Sequence, residues 1–218
     1  MRIILLVQIF LLVFPSVYGQ DRSDSIRNLT IKFPVTSLFG DLYGESMGIG
    51  IGIEKMIKPR FSFSQEVNYI FHVDRTSILS EDLESINGLK FTTEIRKYLI
   101  RKEVPESGFF VNMELKNIIT NSVKKSGITV GGTEENEITR YRGVLTANFG
   151  VLFYWDPHKK SRITLELLGG GGLGYIKAKS GINREIPGAK SDYSSANGFY
   201  PWINFDMKIG YILKHRKP

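Results

Sequence analysis

Between residues 202 and 213 the chain alternates with a period of two. Ile203, Phe205, Met207, Ile209 and Tyr211 are large and apolar, and Asn204, Asp206, Lys208 and Gly210 stand between them. A strand sends successive side chains to opposite faces, so this stretch has one greasy face and one polar or small one. Seven upstream segments repeat the pattern, at 29–38, 47–55, 61–73, 89–100, 109–119, 141–155 and 163–177. Nothing reads as a long amphipathic helix. The repetition predicts a closed barrel.

Strands of about 9–15 residues exceed the usual five or six of soluble proteins and match a tilted crossing of a bilayer. The connections sort by length. Those at 56–60, 101–108 and 156–162 are short, 39–46 is intermediate, and 74–88, 120–140 and 178–198 are long. Short and longer connections alternate, as they must at opposite ends of an up-and-down barrel, and short periplasmic turns with longer outside loops are the outer-membrane pattern. The expected fold class is therefore all-β, an eight-stranded antiparallel up-and-down transmembrane β-barrel over residues 29–213. No second composition shift marks a further domain.

Alternation does not say which face is inside. The polar face carries Gly48, Gly50, Gly52, Gly150, Gly170, Gly172, Gly174 and Gly210. Small side chains suit a cramped eight-stranded interior, whereas a solvated exterior would carry bulky charge. The same face sets six acids, Glu54, Glu66, Glu94, Glu114, Glu166 and Asp206, against five bases, Lys32, Lys90, Arg96, Lys116 and Lys208. Buried charges persist when paired, so a near-neutral network plugging the lumen is expected. Ile49, Ile51, Phe63, Phe91, Met113, Phe149, Leu165, Phe205 and Ile209 are then lipid-facing. The alternative is a soluble periplasmic lipocalin-like barrel whose apolar face lines a ligand cavity. Tyr98, Tyr141, Tyr154, Trp155, Tyr175, Phe199, Tyr200 and Trp202 gather near strand ends, which suits an interfacial aromatic girdle.

The chain starts with Arg2, an apolar run from Ile3 to Phe14, and small residues at Val17 and Gly19. This is the form of a secretory signal peptide over 1–19, cleaved after Gly19, and the run is short for a transmembrane helix. Residues 20–28 read as a periplasmic lead-in and 214–218 as a basic periplasmic tail. No cysteine is present, which excludes disulfides, thiolate metal sites and a lipidated N-terminus. The formal charge is +7 and the pI about 9.5. Much of the excess falls at the short-turn end, where Lys55, Lys58, Arg60, Arg101, Lys102, Lys159, Lys160, Arg162, Lys214, Arg216 and Lys217 face only Glu103, Glu106 and Asp156. Such a rim suits anionic headgroups or a solvated turn face, and an exported chain meets little nucleic acid, so no nucleic-acid partner is expected.

Chemical motifs are few. Residues 169–174 satisfy G-x-G-x-x-G, but no helix follows to hold a pyrophosphate, so the match is coincidental and no cofactor is expected. The sequon at Asn28 carries little weight. The three histidines, His72, His158 and His215, lie on different elements, with no metal-ligand spacing. His72 near Ser77, Ser80 and Glu81 raises the possibility of a lipid A-modifying enzyme, but no Ser–His spacing specifies such a site, and no enzyme activity is expected.

Three segments carry a family resemblance: Gly143 to Gly150, Leu165 to Tyr175 and Phe199 to Phe205. Their glycine and aromatic patterns resemble small outer-membrane barrels, in particular a Gram-negative family of unknown function related in style to OmpX and the OmpA barrel. The likeness spans about 29–213 and implies an eight-stranded outer-membrane barrel without catalytic residues. One departure is the C-terminus. Many such barrels end on an aromatic residue that their insertion machinery recognises, whereas here Leu213 precedes Lys214 to Pro218. Either Tyr211 serves internally or the tail makes its own periplasmic contact. The expected protein is a monomer in outer-membrane lipid, with a structural role or an extracellular partner reached through loops 74–88, 120–140 and 178–198.

Overall fold

Chain order is also spatial order. In the computed structural model, β1 (Leu29–Pro34), β2 (Met47–Lys58), β3 (Phe61–His72), β4 (Leu83–Tyr98), β5 (Gly108–Lys125), β6 (Glu135–Tyr154), β7 (Ile163–Ser180) and β8 (Gly198–Ile212) form one closed antiparallel barrel. The structure describes residues 29–38, 47–58, 60–72, 83–99, 108–125, 135–155, 162–180 and 197–213. The expected signal peptide, lead-in and basic tail lie outside them, as do His158, His215, the side chain of His72 and much of the basic rim.

β1 closes the ring by pairing with both neighbours, Lys32 standing opposite Gly52 on β2 and Gly210 on β8. Every ladder is in a register that keeps even residues opposite even residues over most of its length, as in Glu94 opposite Glu114 and Glu166 opposite Lys208. Even positions therefore point inward all round the barrel, because the side-chain period of a strand is two. Lys32, Asn68, Thr164 and Glu166 are fully enclosed, while the odd neighbours Ile49, Met113 and Phe205 are open to the outside.

The strand limits differ from those read in the sequence, for physical reasons. On the long-loop side β4 begins at Leu83, β5 runs to Lys125, β6 begins at Glu135 and β7 ends at Ser180. Parts of the expected loops 74–88, 120–140 and 178–198 are thus paired strand. Most outward positions there are polar, among them Ser85, Asn87, Asn121, Thr139 and Lys179. Apolar–polar alternation reports a contrast between two faces. Where both are polar the ladder continues, since its hydrogen bonds need no greasy side, but the signal fades.

β1 is shorter than the expected 29–38. Pro34 has no N–H to continue the ladder. The Val35 N–H still donates to the Met207 carbonyl at 2.8 Å, and Leu38 donates back to Val35 to close a 3-10 turn over Thr36–Leu38. This turn carries the buried Ser37 and the side chain of Thr36, which donates to Asp206 inside the barrel.

Apolar groups plug the lumen at both ends. Tyr98, Phe110, Leu152 and Leu168 form an inward cluster at the short-turn end, backed by Met56 and Tyr154. Ile70, Ile86 and Ile118 form another toward the long loops. Two inward glycines make room for rings. A Cβ on Gly150 would collide with Phe110, and one on Gly174 with Tyr200.

Candidate functional site

Between the apolar plugs lies a buried ionic network built by side chains from opposite walls. Lys32 on β1 reaches Glu54 at 2.6 Å and Glu166 on β7 at 2.9 Å. Arg96 on β4 spans the lumen, with Nη2 at 2.6 Å from Glu94 and 2.8 Å from Glu166. Its guanidinium also lies 3.8 Å from the centroid of the Phe110 ring, a cation–π contact inside the wall. Lys208 on β8 sits among Glu66 at 3.2 Å, Glu94 at 3.3 Å and Asp206 at 3.5 Å. Tyr98 donates to Glu54 at 2.9 Å, and Asn112 donates to Glu94. Each carboxylate thus receives several donors, which is what removing a charge from water requires.

Toward the long loops the network becomes more neutral. Glu114 accepts from Asn204 at 2.8 Å and Asn148 at 3.1 Å, and Lys116 donates to Asn204 at 2.7 Å. Lys90 is half-buried and donates to the Ser37 hydroxyl at 3.2 Å. All eleven polar residues read as lumenal in the sequence point inward. Two further cations do so as well: Arg140 and Arg142 are both buried. The even-position parity of β6 marks them, but Ile138 and Val144 also point inward beside them and blur the polar face.

Phe63, Phe91 and Leu165 are half-buried on the outer face, and Ile49, Ile51, Met113, Phe149, Phe205 and Ile209 are open on it. Together they form an apolar belt. On β5 it runs from Phe109 to Ile119, about 34 Å along the strand, or about 25 Å of height at the usual barrel tilt. Polar groups inside this belt bond one another. Gln65 donates to its register partner Thr93 at 2.8 Å, and Tyr141 donates to Asn117 at 2.7 Å. The aromatic-girdle expectation needs correction. Trp155, Tyr175 and Phe199 are exposed outward, whereas Tyr98 and Trp202 are buried inside and Tyr200 covers Gly174. Their even numbers place them on the inner face, where nearness to a strand end is irrelevant.

Chemically, the described lumen holds carboxylates already neutralised by lysine and arginine. Among the described residues no group of three or more His, Asp or Glu side chains is arranged to hold a metal ion. No protein-family model matches the chain, and no curated protein matches it.

Proposed function

We propose that the chain is an outer-membrane β-barrel protein with a plugged polar lumen and a structural or surface-interaction role. The observation that carries this reading is the inversion of the barrel: charge is enclosed and apolar side chains are outside, Ile49 being 61% and Met113 59% exposed. An exterior of this kind is costly in water and favourable in hydrocarbon. The height of the belt supports the same reading, as does the Gln65–Thr93 bond within it, since lipid offers no partner to a polar group. The leader at 1–19 supports export, and the glycine and aromatic resemblance supports the outer membrane. A soluble barrel around an apolar ligand would need an apolar cavity, and the described lumen is lined by ions. The polar strand extensions beyond the belt support the long-loop end as the surface that would meet an extracellular partner.

Fractionation, followed by gel mobility of unheated and boiled detergent extracts, tests this. Recovery with the outer membrane and a heat-dependent mobility shift is the expected result. Recovery in the soluble periplasm without detergent would overturn it. Phe149→Arg or Leu165→Arg should impair insertion by about 2–4 kcal/mol near the bilayer midplane.

A further inference from the structure

Above the ionic network, a partly open cavity lies between β8, the 3-10 turn and the walls of β2 to β6. Three cations line it, Lys90, Lys116 and Arg142, against one acid, Asp206. Asp206 is already engaged, accepting from Thr36 and lying 3.5 Å from Lys208. Lys90 donates to a neutral hydroxyl, and Lys116 to a neutral amide with Glu114 at 3.7 Å. Arg142 is 92% buried, and its Nε has no hydrogen-bond partner among the described residues. A buried guanidinium without a counter-charge is unfavourable, and its planar fork is matched by an oxyanion.

We propose that this cavity is a binding site for a phosphate-class oxyanion, held by Arg142 and flanked by Lys90 and Lys116. The cavity is small and partly open, so it admits the oxyanion group itself, with any chain attached to that group lying outside. Arg142 supplies the fork, Lys116 a positive charge from the neighbouring strand β5, and Lys90 on β4 an adjustable one that can leave Ser37 to reach the ion. The phosphate could arrive free or as the head of a lipid, and the chemistry of capture is shared. This site goes beyond the membrane reading, because it needs only the closed barrel.

The molecule carries its own reporter. Trp202 lies on the inward face of β8 with Asn204 and Asp206, and the other tryptophan, Trp155, is exposed at the short-turn end. In a Trp155→Phe background, in octyl glucoside free of phosphate, sodium phosphate is titrated against sodium chloride at constant ionic strength. A saturable change in Trp202 emission, with a rise in unfolding temperature, is expected. Arg142→Met should abolish both, Lys90→Met should weaken affinity about tenfold, and Arg142→Lys should restore part of the response. Phosphatidic acid added to the micelles separates the sources: a response to inorganic phosphate assigns a soluble ion, and one to phosphatidic acid alone assigns a lipid phosphate. No response to either beyond that of chloride, or an undiminished response in folded Arg142→Met, would overturn the proposal.

Discussion

In the short-turn half of the lumen Lys32, Arg96 and Lys208 each stand within 4 Å of at least two carboxylates, whereas in the long-loop half no carboxylate among the described residues lies within 4 Å of Lys90 or Arg142. The Lys90 charge reaches Glu66 only at longer range. The same kind of side chain is thus used in two ways within one barrel. In the first half, acids from β2, β3, β4, β7 and β8 meet cations from β1, β4 and β8, and Glu54, Glu94 and Glu166 are each shared by two cations. In the second half, Lys90 donates to a hydroxyl, and Lys90 and Arg142 have no carboxylate at contact distance among the described residues. One arrangement is a structural plug, and the other has capacity left for a ligand.

Removing a carboxylate from the first half should have the largest effect. Glu166→Gln keeps the shape but leaves Lys32 and Arg96 sharing the remaining acids. The expected loss is about 3–5 kcal/mol, as for other broken buried pairs. The urea midpoint of the folded protein in detergent measures it. Adding Lys32→Met to the variant should recover part of the loss, because the two sites share a contact and do not add. A loss below about 1 kcal/mol would mean that the inner network is no tighter than a surface pair.

The glycine–ring contacts give a second comparison. A Cβ on Gly150 would meet both the Phe110 ring and the Leu167 carbonyl at 2.8 Å, whereas the three atoms nearest a Cβ on Gly174 all belong to the Tyr200 ring. Gly150→Ala should therefore cost about 2–3 kcal/mol and stay costly when Phe110 is trimmed, since backbone cannot yield. Gly174→Ala should cost about 1–2 kcal/mol, and Tyr200→Ala should relieve the clash. Double-mutant cycles on the two pairs separate a rigid inner half from an adjustable outer one.

The fold was legible wherever one face of a strand is apolar and the other polar. Ile203 to Tyr211 and Ile49 to Ile53 announce their faces, and the inward acids and bases follow from parity. Legibility failed where the faces match. Phe110 and Leu152 point inward between the outward Phe109, Val111, Val151 and Phe153, so a plug residue and a belt residue look alike in sequence. Arg142 sits between the inward Val144 and the buried Arg140, and no contrast with the outward Tyr141 and Gly143 marks it. The pairing of Lys32 with Glu166, 134 positions away, depends on closure and shear of the ring. No local pattern encodes it.

The outer face tests whether the belt meets hydrocarbon. Thr93→Val leaves the Gln65 amide without its register partner in the middle of that belt. In micelles or bilayers the loss should be about 1 kcal/mol, the typical worth of such a bond. If the exterior were wetted, water would replace Thr93 and the change would fall within a few tenths. Comparing urea midpoints of Thr93→Val and Thr93→Ser decides, because Ser keeps the acceptor.

The smallest expected change sharpens the opening contrast most. Arg142→Met removes a buried charge of about the same volume as its replacement stem, from a place where its Nε bonds no described group. Breaking a compensated pair strands its partner, but here no partner is stranded, and the desolvation cost of the guanidinium disappears with it. In phosphate-free detergent the urea midpoint should stay within about 0.5 kcal/mol of the parent or rise above it. Arg96→Met, the same substitution in the inner half, should lose several times that, since Glu54, Glu94 and Glu166 would then crowd together with only Lys32 and Lys208 between them. Equal losses at both positions would mean that Arg142 is held by protein contacts as firmly as Arg96. The outer half would then be a second plug, with no charge to spare for an anion.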